Sequence, residues 1–227
     1  MVNLSENPFD FFQHIYCISL PQSSDRKTTI SKHFENLKIK DRVEFIYVDA
    51  PAGNFNNTNF KKAGVLGCSL SHMKAVYDAV DKQYDNCLII EDDTFFSQDY
   101  HKRMLIGLSE LPKNWDILYF GGSPHEKLTP ISSQLSTSGI MLGTIAYGLN
   151  SKYYNKILNA YFNNICKNFP MCCADNILKN LNQQNKSYTF DPYICETHEG
   201  MSLIENRHTS YHNYIHEIWK THSQRME

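Results

Sequence analysis

The chain has 227 residues, 22 Lys and Arg against 24 Asp and Glu, a formal charge of −2 and a hydrophobic content of 41%. At this length a chain buries about 70% of the surface that its unfolded form exposes, so a core forms without disulfides or metals as staples, and disorder over most of the length is excluded. The near-neutral balance supplies no long-range field to draw the chain onto nucleic acid or anionic lipid.

The N-terminal residues Met1 to Pro8 carry no basic segment followed by an apolar one, so no signal peptide is expected there. His14 to Leu20 is a short apolar run, and Pro21-Gln22-Ser23-Ser24 after it is a turn and helix-cap signal: a strand feeding a helix. In that helix Ile30, Phe34 and Leu37 form one apolar stripe, and Val43 to Val48 is a second strand. The Asn-rich stretch Gly53 to Phe60 marks a loop. Ser69 or Ser71 is expected to cap a helix whose Met73, Val76, Tyr77 and Val80 face inward. Cys87 to Ile90 is an apolar strand of buried type, ended by Glu91-Asp92-Asp93. A helical pattern follows at Tyr100, Met104, Leu108 and Leu111 and stops at Pro112, before a strand from Asp116 to Phe120 closed by Gly121-Gly122. The charge-free stretch Leu128 to Ser151 is too rich in Ser, Thr, Gly, Gln and Asn to span a bilayer. Ile177, Leu178 and Leu181 continue the helical periodicity.

Strands alternating with helices predict one α/β domain over 1–227, a three-layer sandwich around a mostly parallel sheet. With no secretory or membrane segment, the expected compartment is the cytoplasm, or a membrane face reached through a partner. The seven cysteines are an odd, scattered set in mostly apolar runs, which reads as reduced core residues. Cys172-Cys173 lacks the two-residue gap of a zinc knuckle and reads as packing. His208, His212 and His216, spaced by four with His222 beyond, are either a zinc-binding helix face or the polar flank of a helix docked through Tyr211, Ile215 and Ile218; the second is simpler.

Ligands of parallel sheets bind beyond the carboxyl ends of the strands. Three consecutive carboxylates directly after a buried strand repel one another, and a divalent hard cation such as Mg²⁺ or Mn²⁺ neutralises such a cluster. The alternative is that Asp92 or Asp93 only caps a following helix.

Tyr16-Cys17-Ile18-Ser19-Leu20 with Arg26, Val48-Asp49-Ala50, Gly64-Val65-Leu66-Gly67-Cys68-Ser69-Leu70-Ser71-His72, Leu88-Ile89-Ile90-Glu91-Asp92-Asp93, Trp115 to Tyr119 and Ala146-Tyr147 form an ordered series. Thr197-His198 and Ser202-Leu203-Ile204 are a looser continuation. The series resembles glycosyltransferase family 25, which includes bacterial lipooligosaccharide galactosyltransferases and collagen hydroxylysine galactosyltransferases. Ser19 stands where that family usually has Asn. The resemblance implies a GT-A fold and an inverting, metal-assisted transfer of a hexose, galactose or glucose, from a UDP-sugar to a hydroxyl of a glycan, a lipid-linked glycan or hydroxylysine.

By that resemblance Asp93 is the direct Mn²⁺ (or Mg²⁺) ligand, Glu91 lies nearer the ribose or a metal-bound water, and His198 is the further ligand from the C-terminal segment. Leu20, Arg26, Asp49, Ser71, His72 and Asp92 fall on the nucleotide side, with Ser71-His72 at a helix start offering free backbone N–H groups to phosphate oxygens. Asp175 is the candidate general base, with Asp116 in reserve. Two other functions remain open: a non-catalytic nucleotide- or carbohydrate-binding subunit on the same fold, and a metal-dependent hydrolase if the C-terminal histidines hold zinc.

Overall fold

The structure, a computed structural model, describes residues 7–21, 23–49, 60–168, 173–182, 186–197, 200–202 and 207–209. A short 3₁₀ turn, Pro8–Phe11, leads into β1 (His14–Ile18), whose central Ile15, Tyr16 and Cys17 are fully buried. α1 (Ser24–Asn36) crosses to β2 (Val43–Ile46), and α2 (Phe60–Asp81) crosses to β3 (Asn86–Glu91). β4 (Thr94–Phe96), α3 (Tyr100–Glu110) and β5 (Ile117–Tyr119) follow. Short strands β6 (Ser123–Pro124), β7 (Thr129–Pro130), β8 (Leu135–Thr137) and β9 (Met141–Leu142) precede β10 (Ala146–Asn150). The remaining described elements are α4 (Ser151–Asn168), α5 (Ala174–Asn182), β11 (Ser187–Phe190), β12 (Cys195–Thr197), β13 (Gly200–Ser202) and β14 (Arg207–Thr209).

Eight strands form one sheet in the order β2-β1-β3-β10-β5-β11-β8-β7. β10 and β8 run against the other six. Cys87 to Ile90 of β3 and all of β5 are buried, because helices cover both faces. One face packs Ile15, Cys17, Leu88, Ile90 and Leu118 under Ile30 and Phe34 of α1, Met104 and Leu108 of α3, and Phe9 and Phe12 of the N-terminal turn. The other packs Tyr16, Ile89, Tyr119 and Tyr147 under Ala75, Val76 and Ala79 of α2, Tyr153, Ile157 and Tyr161 of α4, and Ile177 and Leu178 of α5. This is the expected three-layer α/β sandwich.

α1 and α2 end on the same device. Lys38 (φ 59°) and Gln83 (φ 57°) take the left-handed conformation, and Ile39 N–H and Tyr84 N–H reach back to the carbonyls of Phe34 and Ala79. This Schellman closure satisfies the last carbonyls and turns the chain toward the next strand. Two glycines allow close approach: a Cβ on Gly121 would meet the Cys195 carbonyl oxygen at 2.2 Å, and one on Gly148 would meet Phe12 Cε1 at 2.6 Å.

Several expectations need correction. α2 begins at Phe60, so Ser69 and Ser71 are interior residues of a 22-residue helix and cap nothing. Of the four residues expected to face inward, Tyr77 is 62% exposed, whereas Val76 is buried with Ala75 and Ala79, and Met73 and Val80 pack against that core. His208 lies in β14, paired with Met201, so the four-residue spacing does not begin on a helix there; His212, His216 and His222 lie outside the described residues. The Asn-rich stretch up to residue 59 is also outside them.

Candidate active site

Parallel pairing of β1 with β2 and β3 sets Ile18 beside Ile46 and Glu91, so the three strands reach their carboxyl ends together. The ladder continues one step further: Ser19 N–H donates to the Ile46 carbonyl at 3.2 Å, and Asp92 N–H donates to the Ile18 carbonyl at 3.1 Å. Leu20, in the turn after β1, and exposed Asp49, beyond β2, therefore sit at the same edge as Glu91-Asp92-Asp93. Arg26, in the first turn of α1, reaches over it. Its Nη2 lies 2.8 Å from Asp92 Oδ1 and also pairs with Asp93 Oδ2.

Three carboxylates against one guanidinium leave two negative charges uncompensated when all are ionised. Burial is the first cause that pushes the Asp93 carboxyl up, to about 7, with Glu91 and Asp92 adding repulsion and Arg26 opposing it. Asp92 is raised too, by burial first and then Glu91, against Arg26 and the Ser19 hydroxyl. Burial also opposes ionisation of Glu91, yet His72, Thr144 and Arg26 outweigh it and hold that carboxyl below its usual range. Among the described residues Asp93 Oδ1, which is buried, accepts no hydrogen bond. A buried, unpartnered carboxylate oxygen in a site of excess negative charge fits a divalent cation, and Asp93, with Glu91 beside it, would hold one.

Glu91 is fixed from two sides. Thr144, just before β10, donates its hydroxyl to Glu91 Oε1, and His72 Nε2 lies 3.4 Å from the same oxygen. His72 is fully buried, with Nδ1 2.8 Å from Tyr147 Oη. Ser71 Oγ donates to the Gly67 carbonyl at 2.7 Å and accepts from Val48 N–H at 2.9 Å, tying α2 to the end of β2. Because both residues are mid-helix, their backbone N–H groups are not free for phosphate, which corrects that part of the expectation.

The family model described as "Glycosyltransferase family 25 (LPS biosynthesis protein)" matches residues 12–126, half of the chain. The chain belongs to glycosyltransferase family 25. Mouse (Mus musculus) procollagen galactosyltransferase 2 is 22% identical over 177 residues, 66% of this chain and 28% of that protein. The rat (Rattus norvegicus) protein named "Probable inactive glycosyltransferase 25 family member 3" is 24% identical over 174 residues, 65% of this chain and 30% of it. This family 25 chain thus spans under a third of the length of these curated relatives. A crystal structure of UDP-glucose pyrophosphorylase complexed with UDP-glucose aligns with a TM-score of 0.47 at 10% identity, covering 93% of this chain and 81% of that one. The sandwich described above is the GT-A-type fold that family membership leads one to expect.

The remaining candidates separate. Asp175, in the first turn of α5, acts on the same thiol as the carboxylates: burial first, then the charges of Glu91, Asp175 and Asp93, push Cys68 on α2 up. Asp175 Oδ1 accepts from Cys173 Sγ at 2.5 Å and from Asn176 N–H at 3.0 Å. Asp116 is a correction. Its neighbour Ile117 and Cys87 both pair with Leu149, so Asp116 is level with the start of β3, two strands over from it and about 16 Å from the level of Glu91 along the strands, at about 3.3 Å per residue. There its carboxylate accepts Lys186 N–H at 3.2 Å, a structural role. β12 pairs with β4, Thr197 opposite Thr94, and His198 lies outside the described residues.

Sequence reasoning missed Thr144 and Tyr147 as holders of Glu91 and His72. No motif marks Thr144. Tyr147 was visible only as a member of the ordered series.

Proposed function

We propose that this family 25 chain is an inverting hexosyltransferase that moves galactose or glucose from a UDP-sugar to a hydroxyl of a glycan, a lipid-linked glycan or hydroxylysine. The observation that carries this reading is the Glu91-Asp92-Asp93 cluster at the carboxyl edge, with one buried Asp93 oxygen unpartnered. The name of the mouse relative supports galactose as the sugar.

A Mn²⁺ or Mg²⁺ ion, when bound, supplies Lewis-acid stabilisation to a leaving diphosphate. Asp93 would ligate it, and Glu91, oriented by Thr144 and His72, faces the ribose or a metal-bound water. Arg26 already lies across these carboxylates and supplies positive charge for the diphosphate. Leu20 and Asp49 border the nucleotide, and Asp175 accepts the proton of the acceptor hydroxyl as it attacks. His198 is the proposed second-segment ligand, entering after β12. We place the chemistry in the cytoplasm; among the described residues no helix is long and apolar enough to cross a membrane.

Calorimetric titration of UDP into the protein, with and without Mn²⁺, tests the reading. Binding that requires Mn²⁺ is the expected result, and no binding in either condition overturns it. The second reading, a nucleotide- or carbohydrate-binding subunit without turnover, draws on Arg26 already neutralising part of the cluster and on the word "inactive" in the rat relative's name. Such a subunit retains UDP without consuming UDP-sugar when an acceptor is supplied.

A further inference from the structure

Beside the carboxylate edge lies a second constellation with different chemistry. Cys68 and His72 are four residues apart on α2 and so project from one helix face, where the end of β3 adds Glu91. One ligand atom from each, a thiol sulfur, an imidazole nitrogen and a carboxylate oxygen, lie within 4.8 Å of one another. His72 is fully buried, and among the described residues its Nε2 makes no hydrogen bond, although it lies 3.4 Å from Glu91 Oε1. Its other nitrogen is bound to Tyr147 Oη. Without a metal, Nε2–H faces the Glu91 carboxylate; in the other tautomer Nδ1–H donates to Tyr147 Oη and Nε2 presents the lone pair that a metal needs, the arrangement in which an outer hydrogen bond fixes a metal-binding histidine. Thr144 fixes the carboxylate in the same way.

We propose that Cys68, His72 and Glu91 form a binding site for a thiophilic divalent cation, Zn²⁺ or Co²⁺, distinct from the hard-cation site at Asp93. The donor set decides the class. Sulfur and imidazole nitrogen select Zn²⁺ or Co²⁺, whereas Mg²⁺ and Mn²⁺ prefer all-oxygen shells. Binding exchanges the Cys68 thiol proton for the metal and releases it to solvent. Three protein ligands leave a fourth position for water. Glu91 belongs to both sites, so a thiophilic ion here withdraws it from the nucleotide edge; the proposal stands whether or not that edge binds UDP.

Titration of Co²⁺ into the full chain, followed by absorption, reads the ligands directly. A thiolate-to-cobalt charge-transfer band is expected in the wild type and in Asp93→Ala, and is lost in Cys68→Ser. Tyr147→Phe should weaken Co²⁺ binding by about tenfold or more, because it frees the histidine tautomer. Absence of the band in the wild type, or its persistence in Cys68→Ser, overturns the site, and unchanged affinity in Tyr147→Phe removes His72 from it. Zinc-edge X-ray absorption of the wild type gives the same answer without a variant. One sulfur among nitrogen and oxygen neighbours supports the site; a shell of nitrogen and oxygen alone, as histidines elsewhere in the chain provide, overturns it.

Discussion

The two ends of the central sheet both carry an aspartate, and their treatment is opposite. At the amino end Asp116 is finished: its carboxylate receives Lys186 N–H, and its own backbone joins Asn150 and Lys186. At the carboxyl end Asp93 stands among like charges with one oxygen buried and unmatched, and its affinity for a proton rises accordingly. A fold that satisfies one aspartate and leaves the other in deficit marks the second as the place where something else binds. Acidic residue type says little here; unmet bonding capacity says more.

The sharpest way to test that contrast is by turnover. Asp175, on the carboxylate side, becomes Asn without loss of Mn²⁺-dependent UDP binding, but transfer falls by about 10²–10⁴-fold, the usual worth of a general base. Wild-type rates in this variant would break the assignment of the base, and Asp116 is no substitute, since it is at the far end of the sheet. Next in size, Asp93→Ala loses Mn²⁺-dependent UDP binding by calorimetry, about 100-fold or more in affinity, while the circular dichroism spectrum is unchanged. Asp116→Ala leaves the same binding within twofold and instead lowers stability by about 1 kcal/mol, the net worth of one hydrogen bond.

A pH series sharpens the comparison further. A cation must displace the proton from Asp93, whose pKa is about 7, so Mn²⁺ affinity rises up to about tenfold per unit as pH climbs toward 7 and levels off above it. A flat profile from pH 5 to 8 would separate the cation from Asp93. The smallest effect is on stability without metal. The folded pKa of Asp93 exceeds the ordinary 3.8, so the folded state holds extra proton between these values and loses stability as pH rises from about 4 to 7. Asp93→Asn removes that loss, and its melting temperature at pH 8 exceeds the wild type's by a few degrees, with little difference at pH 4.

Much of this architecture was legible in the sequence, and the failures have physical causes. β1, β3 and β5 were visible because strands covered on both faces are continuous apolar runs, and α1 because Ile30, Phe34 and Leu37 repeat at helical spacing. The start of α2 was hidden by Gly64 and Gly67, each costing a helix about 1 kcal/mol relative to alanine; packing against β1, β3 and α4 overrides that preference. β10 was invisible as a strand, since Ala146-Tyr147-Gly148-Leu149-Asn150 has neither alternation nor β-branched residues and is specified by partners on both sides. In the site, consecutive carboxylates after a buried strand announced themselves. The charge that opposes them, Arg26, was named but not its pairing with Asp92 and Asp93, and the Tyr147–His72 contact joins residues 75 apart, which no local pattern reports.

β10 carries one more consequence, for dissection of the chain. Among the described residues it is the only strand that touches both β3 and β5 in the sheet, yet it begins 20 residues beyond the segment that the family model matches. A fragment cut at residue 126 therefore keeps every carboxylate of the edge but leaves β3 with a bare row of backbone donors and acceptors and β5 detached from it. Such a naked edge recruits other chains. The fragment that bears the family signature should thus precipitate or self-associate on expression, and the smallest soluble piece that retains Glu91 in place must run past Asn150.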